Sequence, residues 1–291
     1  MRDVLYDRMT KIIGSPNNIS HSSLCAEAEK FGPYYTEGIW SYRQYDVLNA
    51  HYVLLWGADP LAANRQVSYY SKVWGDVVDK ATIAIVEPRL SASAGKADEW
   101  LPIKPGQDGA LAVAISHILL TEGLWYKPFV GDFTEGKNLF ISGQTVDEET
   151  FEERHTNGII KYWNLELKDK TPEWAAEITG ISAEQIQRVA TGFGQAAPHA
   201  ISWLGGGPCM QVRGGYTAMA VHALNGIVGA VDNVGGTLKA NKEYTGKFPK
   251  PDDFMDEIAK KGKKHEKIDQ RGRLQFPCLN KGKSGGGVIT N

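Results

Sequence analysis

The run Tyr52-Val53-Leu54-Leu55-Trp56, closed at once by Gly57-Ala58-Asp59-Pro60, constrains this chain more than any other feature. A short unbroken apolar run ended by turn residues reads as a strand buried on both faces. A helical stretch from Gln66 to Asp79 follows, and a second such run, Thr82-Ile83-Ala84-Ile85-Val86, ends at Glu87-Pro88-Arg89. Strand, glycine turn, helix and strand form the unit of a doubly wound parallel sheet, where ligands bind beyond the carboxyl ends of the strands. Here those ends are Gly57 to Asn64 and Glu87 to Lys96. A third unit follows: a short strand at Leu101 to Ile103, the turn Pro105-Gly106-Gln107-Asp108-Gly109, and a helix carrying Leu111, Ile115, Ile118 and Leu119.

From about Trp125 to Lys170 the pattern becomes polar and aromatic without a clear period, which predicts irregular structure with short elements. Helices resume after Thr171-Pro172, where proline suits the first helical position. Ser182 with Gln185 three residues on predicts a capping box and a helix to about Phe193. The strand His199 to Leu204 leads into Gly205-Gly206-Gly207, and Gly215 to Gly229 reads as a helix of small residues. A strand again meets glycines and then a helix, so a second nucleotide-contacting unit is expected there.

The length of 291 residues allows one large or two modest domains, and eight tryptophans suit a folded globular protein. A formal net charge of −2 argues against a nucleic-acid binder. The basic group Lys260, Lys261, Lys263, Lys264 and Lys267, before Arg271 and Arg273, reads as a solvated face. Cys25, Cys209 and Cys278 lie far apart, without zinc or iron–sulfur spacing and without a disulfide framework. No apolar run reaches bilayer length, and the first residues carry no signal-peptide core. The chain stops in a glycine-rich stretch, which suggests a fragment.

Cys25 sits in Asn17-Asn18-Ile19-Ser20-His21-Ser22-Ser23-Leu24-Cys25-Ala26-Glu27-Ala28-Glu29-Lys30. Ser22 or Ser23 can cap a helix through the following Ala-Glu-Ala-Glu-Lys, which puts Cys25 in the first turn. Exposed amides and the helix dipole there favour a thiolate, the form a soft metal or a redox step requires. His21 and Lys30 flank it as donors able to hold an oxyanion near the sulfur. The competing reading is a small buried thiol, a satisfied histidine and a solvated lysine. Gly57-Ala58-Asp59-Pro60 replaces the G-x-G-x-x-G fingerprint, which disfavours a nicotinamide dehydrogenase. Asp59 is either an acceptor for purine or ribose donors or part of a plain turn.

Several segments together resemble the molybdopterin oxidoreductases of the dimethyl sulfoxide reductase type. They are Gly57-Ala58-Asp59-Pro60, the long run from Val86 through Glu87-Pro88-Arg89 to Ala112, Thr171 to Gly180, and Asn225-Gly226-Ile227-Val228-Gly229. The resemblance implies an α/β fold of two Rossmann-like doubly wound lobes, without the family's iron–sulfur and C-terminal barrel domains. Residues 1–22 would end a first lobe, 23–175 would form the lobe with the metal-ligand segment, and 176–291 would return to the first. It implies a molybdenum bis(molybdopterin guanine dinucleotide) held by Gly57, Asp59, Pro60, Glu87, Pro88, Arg89, Lys104, Gly106 and Asp108. Gly205, Gly206, Gly207 and Gln211 would lie near the second dinucleotide. Cys25 matches the family's molybdenum ligand, and a [4Fe–4S] cluster is expected in a missing N-terminal part.

Phe31-Gly32-Pro33-Tyr34-Tyr35-Thr36-Glu37-Gly38 and Tyr162 to Thr171 are similar to the catalytic subunits of respiratory arsenate reductases. That likeness implies reduction of arsenate to arsenite by oxygen-atom transfer, with His21, Lys30 and Tyr42 holding the oxyanion beside the metal. It also implies an iron–sulfur electron-transfer partner subunit and a periplasmic location. Related molybdenum enzymes (arsenite oxidase, polysulfide or thiosulfate reductase) and a non-catalytic electron-transfer scaffold of the same fold without molybdenum remain alternatives.

Overall fold

The structure, a computed structural model, describes residues 2–17, 27–130, 158–240, 246 and 248–266. Its larger unit, residues 28–240, is built on a four-stranded parallel sheet. The strands are β2 (Tyr52–Trp56), β3 (Thr82–Val86), β4 (Glu99–Leu101) and β5 (Ala200–Leu204), in the order β4-β3-β2-β5. A two-stranded antiparallel ribbon pairs β1 (Arg43–Tyr45) with β6 (Thr237–Lys239). Helix α1 (Arg2–Ile12) belongs to a smaller unit formed by residues 1–27 and 241–291. Helices α2 (Glu27–Glu37), α3 (Val67–Val78), α4 (Asp108–Thr121), α5 (Pro172–Thr179), α6 (Ala183–Gln195) and α7 (Gly214–Ile227) follow in chain order.

Alternation along the strands explains the layering. Leu54, Trp56, Ala84 and Val86 face one side, where α4, α6 and α7 supply Leu111, Ile115, Val189, Phe193, Val221 and Leu224. Val53, Leu55, Ile83, Ile85, Ile201 and Trp203 face the other, against Tyr70, Val73, Trp74 and Val77 of α3. Both faces are covered, so β2 and β5 are buried along their whole length, which is why they read as apolar runs. One polar knot sits inside this core. The Trp56 Nε1 donates to Ser202 Oγ at 3.0 Å, that hydroxyl donates to the Val221 carbonyl at 2.9 Å, and the Asn225 amide bonds both the N–H and the C=O of Ser202.

Ser182 caps α6 as the sequence predicts, accepting from Gln185 N–H, and Thr171, ahead of the expected first-position proline, caps α5 by accepting from Trp174 N–H. The reciprocal half of the capping box is absent, because the Gln185 amide donates to Glu99 Oε2 and the Trp100 carbonyl instead. The third strand lies at Glu99–Leu101, earlier than Leu101 to Ile103, because Ala84 to Val86 pair with Glu99 to Leu101. The division expected at residues 175 and 176 does not separate lobes: β5 pairs with β2 from Tyr52–Ala200 to Trp56–Leu204. Residues on both sides of that boundary therefore build one sheet, the single doubly wound sheet among the described residues.

Candidate functional site

The carboxyl ends of β3, β2 and β5 are adjacent, and the loops leaving them meet. Gly57 bonds back to the Val86 carbonyl at 2.9 Å, and Gly205 N–H donates to the Trp56 carbonyl at 2.8 Å. Gly57 has a positive φ of 54°, and a Cβ on Gly205 would collide with the Gly57 carbonyl oxygen. Two glycines are thus required for these loops to touch. Asp59 is buried, and its Oδ1 accepts from the Ser93 hydroxyl at 2.6 Å and the Ser93 N–H at 3.3 Å. Ser93 Oγ in turn accepts from Leu61 N–H at 3.2 Å, which ties the β2 loop to the β3 loop. Pro60 is buried beside Asp59.

Glu87 is also buried, its Oε1 accepting from Ser91 N–H at 3.1 Å and its carbonyl from Trp100 Nε1 at 3.0 Å. Pro88 and Arg89 are exposed at the rim. Asp59 and Glu87 therefore shape the loops that leave the strand ends.

Asp108 opens α4, and burial pushes its carboxyl up to about 6, with its own amide and the Gln211 side chain opposing. Gly106, at φ 88°, lies against Gln211, since a Cβ there would come within 2.7 Å of Gln211 Oε1. Gln211 Nε2 donates to the Pro208 carbonyl at 2.8 Å, which links this turn to the Gly205–Gly206–Gly207 loop. Gly206 is half-buried and Gly207 exposed. Cys209 lies under that loop with its Sγ 3.6 Å from the Gly205 carbonyl, and burial pushes its thiol up, so it packs rather than reacts. Lys104 stands apart: it is exposed, its N–H donates to Thr179 and its Nζ reaches the Glu177 carbonyl at 3.4 Å, at the end of α5.

Lys30 and Tyr42 come together. Trp40 packs edge-on to Phe31 and Tyr34 of α2, with ring centroids 5.3 Å apart in each pair. This clamp folds the segment after α2 back along the helix, and Lys30 Nζ lies 5.2 Å from the Tyr42 ring centroid. A third residue joins them that the sequence reading missed: Arg65 has its Cζ 4.9 Å from the same ring and its Nη2 3.4 Å from the phenol oxygen. Arg65 follows Asn64, where the proposed ligand-contacting loop was taken to end. Burial raises the Glu29 carboxyl, while the charges of Arg65 and Lys30 pull it down. Cys25 and His21, with the serines expected to cap their helix, lie outside the described residues.

A second cluster was also unread. Arg43 on β1 makes a buried ion pair with Glu37 at the end of α2, and its Nη2 is 3.7 Å from Asp232. Burial pushes the Glu37 carboxyl up to about 7 against the pull of Arg43, and holds His222 down at about 3. His222 Nδ1, 3.8 Å from Glu37, is therefore neutral. Glu37, His222 and Asp232 line part of a cavity of about 1230 Å³.

Comparison with known proteins agrees with this architecture. The chain is 59% identical over its whole length to the molybdopterin-containing subunit ArrA of arsenate respiratory reductase from Shewanella sp. strain ANA-3, and covers 34% of that protein. It is 53% identical over 99% of its length to ArrA of Chrysiogenes arsenatis, again covering 34%. A probable dimethyl sulfoxide reductase chain, YnfF of Escherichia coli K12, is 34% identical over 66% of this chain and 23% of its own. Acetylene hydratase from Pelobacter acetylenicus shares the fold, with a TM-score of 0.59, 23% identity, and coverage of 79% of this chain and 28% of that one. The chain thus spans about a third of the length of these two arsenate respiratory reductase subunits. The molybdopterin oxidoreductase model matches residues 4–269, and with this parallel sheet and its converging loops the chain belongs to that family, whose members use a molybdenum–pterin cofactor.

Proposed function

We propose that this chain forms part of a catalytic subunit that reduces arsenate to arsenite by oxygen-atom transfer in anaerobic respiration. The observation that carries the reading is identity of 59% and 53% across the chain with two arsenate respiratory reductase subunits, against 34% over two thirds of it with a dimethyl sulfoxide reductase chain. The Lys30–Tyr42 juxtaposition supports it, because an arsenate dianion calls for a cation and hydroxyl donors in one place.

The described residues fit the nucleotide ends of the cofactor. Buried carboxyls at Asp59 and Glu87 are fixed acceptors beside the strand ends, Asp108 is buried at the start of α4, Arg89 is exposed, and Gly206 and Gly207 add backbone without side chains to the β5 loop. In the guanine dinucleotide form, Asp59, Glu87, Arg89 and Asp108 would meet guanine or ribose, with Gly205, Gly206, Gly207 and Gln211 near the second nucleotide. Lys104, turned to α5, contributes from the rim or not at all. Cys25 would ligate molybdenum.

When bound, the molybdenum centre supplies two-electron chemistry able to take an oxygen atom from arsenate. Net reduction of the arsenate dianion consumes two electrons and four protons and releases neutral arsenous acid and water. Lys30 holds the substrate's negative charge, Tyr42 donates its phenol hydrogen to a substrate oxygen, and His21 is the further donor. Electrons would arrive through a [4Fe–4S] cluster outside this sequence and an iron–sulfur partner subunit, in the periplasm. No helix among the described residues is long and apolar enough to cross a membrane.

In an intact catalytic subunit carrying this sequence, Cys25→Ala should abolish arsenate turnover and lower bound molybdenum. Wild-type rates in that variant would remove the ligand role, and preference for arsenite or thiosulfate in the parent enzyme would remove the reaction.

A further inference from the structure

We infer that Arg65 is a positioning residue for Tyr42: its guanidinium occupies the phenol oxygen as a donor and so commits the phenol hydrogen to the oxyanion. The inference rests on the proposed role of Tyr42 in holding that oxyanion.

The donor inventory supplies the logic. A phenol has one hydrogen to give and lone pairs to receive, whereas a guanidinium only gives. With Arg65 Nη2 facing the Tyr42 oxygen at 3.4 Å, Tyr42 is the acceptor in that pair and cannot donate back. Lys30, the other cation at the ring, also only donates. Among the described residues, neither of these two neighbours can take the phenol hydrogen, which leaves it for an incoming acceptor, and an arsenate oxygen is one. The 3.4 Å separation is long for a hydrogen bond, as contacts at active sites often are before substrate draws the groups together. Both cations also lie against the ring, the guanidinium carbon at 4.9 Å and the ammonium nitrogen at 5.2 Å from its centroid.

Arg65 is carried on a loop built to hold it still. Ala62 N–H and Ala63 N–H donate to the Asp59 carbonyl, Leu61 N–H to Ser93 Oγ, and Gln66 N–H to Asn64 Oδ1 at 2.9 Å. The last of these bonds brackets Arg65 and is followed directly by α3. Through Asp59 and Ser93, the loop that would meet a nucleotide and the residue that orients Tyr42 are one structural piece. Glu29, which feels both Arg65 and Lys30, offsets part of their charge, so that the pair does not simply repel itself apart.

The test uses steady-state arsenate reduction by the intact, molybdenum-loaded subunit with its electron donor, for Tyr42→Phe, Arg65→Ala, Arg65→Lys and the double variant Tyr42→Phe/Arg65→Ala. Arg65 is exposed, so its replacement should leave the fold and the molybdenum content unchanged. Tyr42→Phe and Arg65→Ala should each raise KM about tenfold with kcat within about threefold, the loss of one hydrogen bond to a charged group. Arg65→Lys, still a donor, should recover KM to within about threefold of wild type. The double variant should be no worse than about twofold beyond Tyr42→Phe alone, because Arg65 acts through the phenol. An additive rise of about a hundredfold would overturn the inference by showing that Arg65 acts on the substrate directly. A Tyr42→Phe defect with a wild-type Arg65→Ala enzyme would overturn the inference alone. A wild-type Tyr42→Phe enzyme would overturn the site reading and the inference with it.

Discussion

At Asp108 a carboxyl begins a helix yet is buried, and burial lifts its proton affinity so that it titrates at about 6 rather than near 3.8. Between those values the folded chain holds a proton that the unfolded chain has released, so this group's contribution to stability falls as pH rises from about 4 to 6. Asp108→Asn should flatten that slope. The variant should match wild type near pH 3.5 and exceed it at pH 7, by at most about 3 kcal/mol. Urea unfolding at the two pH values checks this, and an unchanged slope would show that the carboxyl is hydrated. Residue chemistry was only partly legible. Asp59 and Glu87 lie just past the strand ends that their segments predict, whereas Asp108, read as part of a turn, is already the first residue of α4. The partner that fixes Asp59 was not, because Ser93 belongs to the next loop and no spacing rule links a strand-end aspartate to it.

Elements were read better than residues, for a physical reason. The strands Tyr52–Trp56 and Thr82–Val86 are buried on both faces, so their apolar runs are unbroken, and α5 and α6 begin where a hydroxyl can accept a first-turn amide. Gln185 misled because its side chain had a better offer than the helix start: Glu99 and Trp100 at the neighbouring strand. The third strand begins at Glu99 because its backbone pairs with Ala84 to Val86, a partner no local pattern announces; the Glu99 carboxylate also pairs with Arg188. Glycines separate sharply at this scale. Gly205→Ala should cost about 1–3 kcal/mol and weaken cofactor retention, because its methyl group meets the Gly57 backbone and neither loop can yield. Gly226→Ala, in α7 with open space around it, should instead stabilise the chain by about 0.5–1 kcal/mol. Thermal unfolding of both variants, with molybdenum content for the first, tests the contrast.

For the molecule as a whole, what could not be read was adjacency. Parallel strands need no turn between them, so nothing local announces that β5 lies beside β2, and the expected boundary cut through a single sheet. The buried Glu37–Arg43 pair escaped notice for a like reason: it joins α2 to β1, beside His222 of α7 and the Asp232 turn. Glu37→Ala would strand a guanidinium in the interior and should destabilise the larger unit by about 3–5 kcal/mol. A urea midpoint equal to wild type would mean that water reaches Arg43.

The Ser202 knot has a consequence for how such a sheet finds its order. Ser202 satisfies Trp56, Val221 and Asn225 together only when β5 is in its native alignment. A slip of one residue would turn the hydroxyl to the opposite face and leave the indole and the carboxamide without partners in a dry interior. The knot thus serves as a checksum on assembly: a mis-threaded β5 fails it, even where hydrophobic residues alone would have accepted the error.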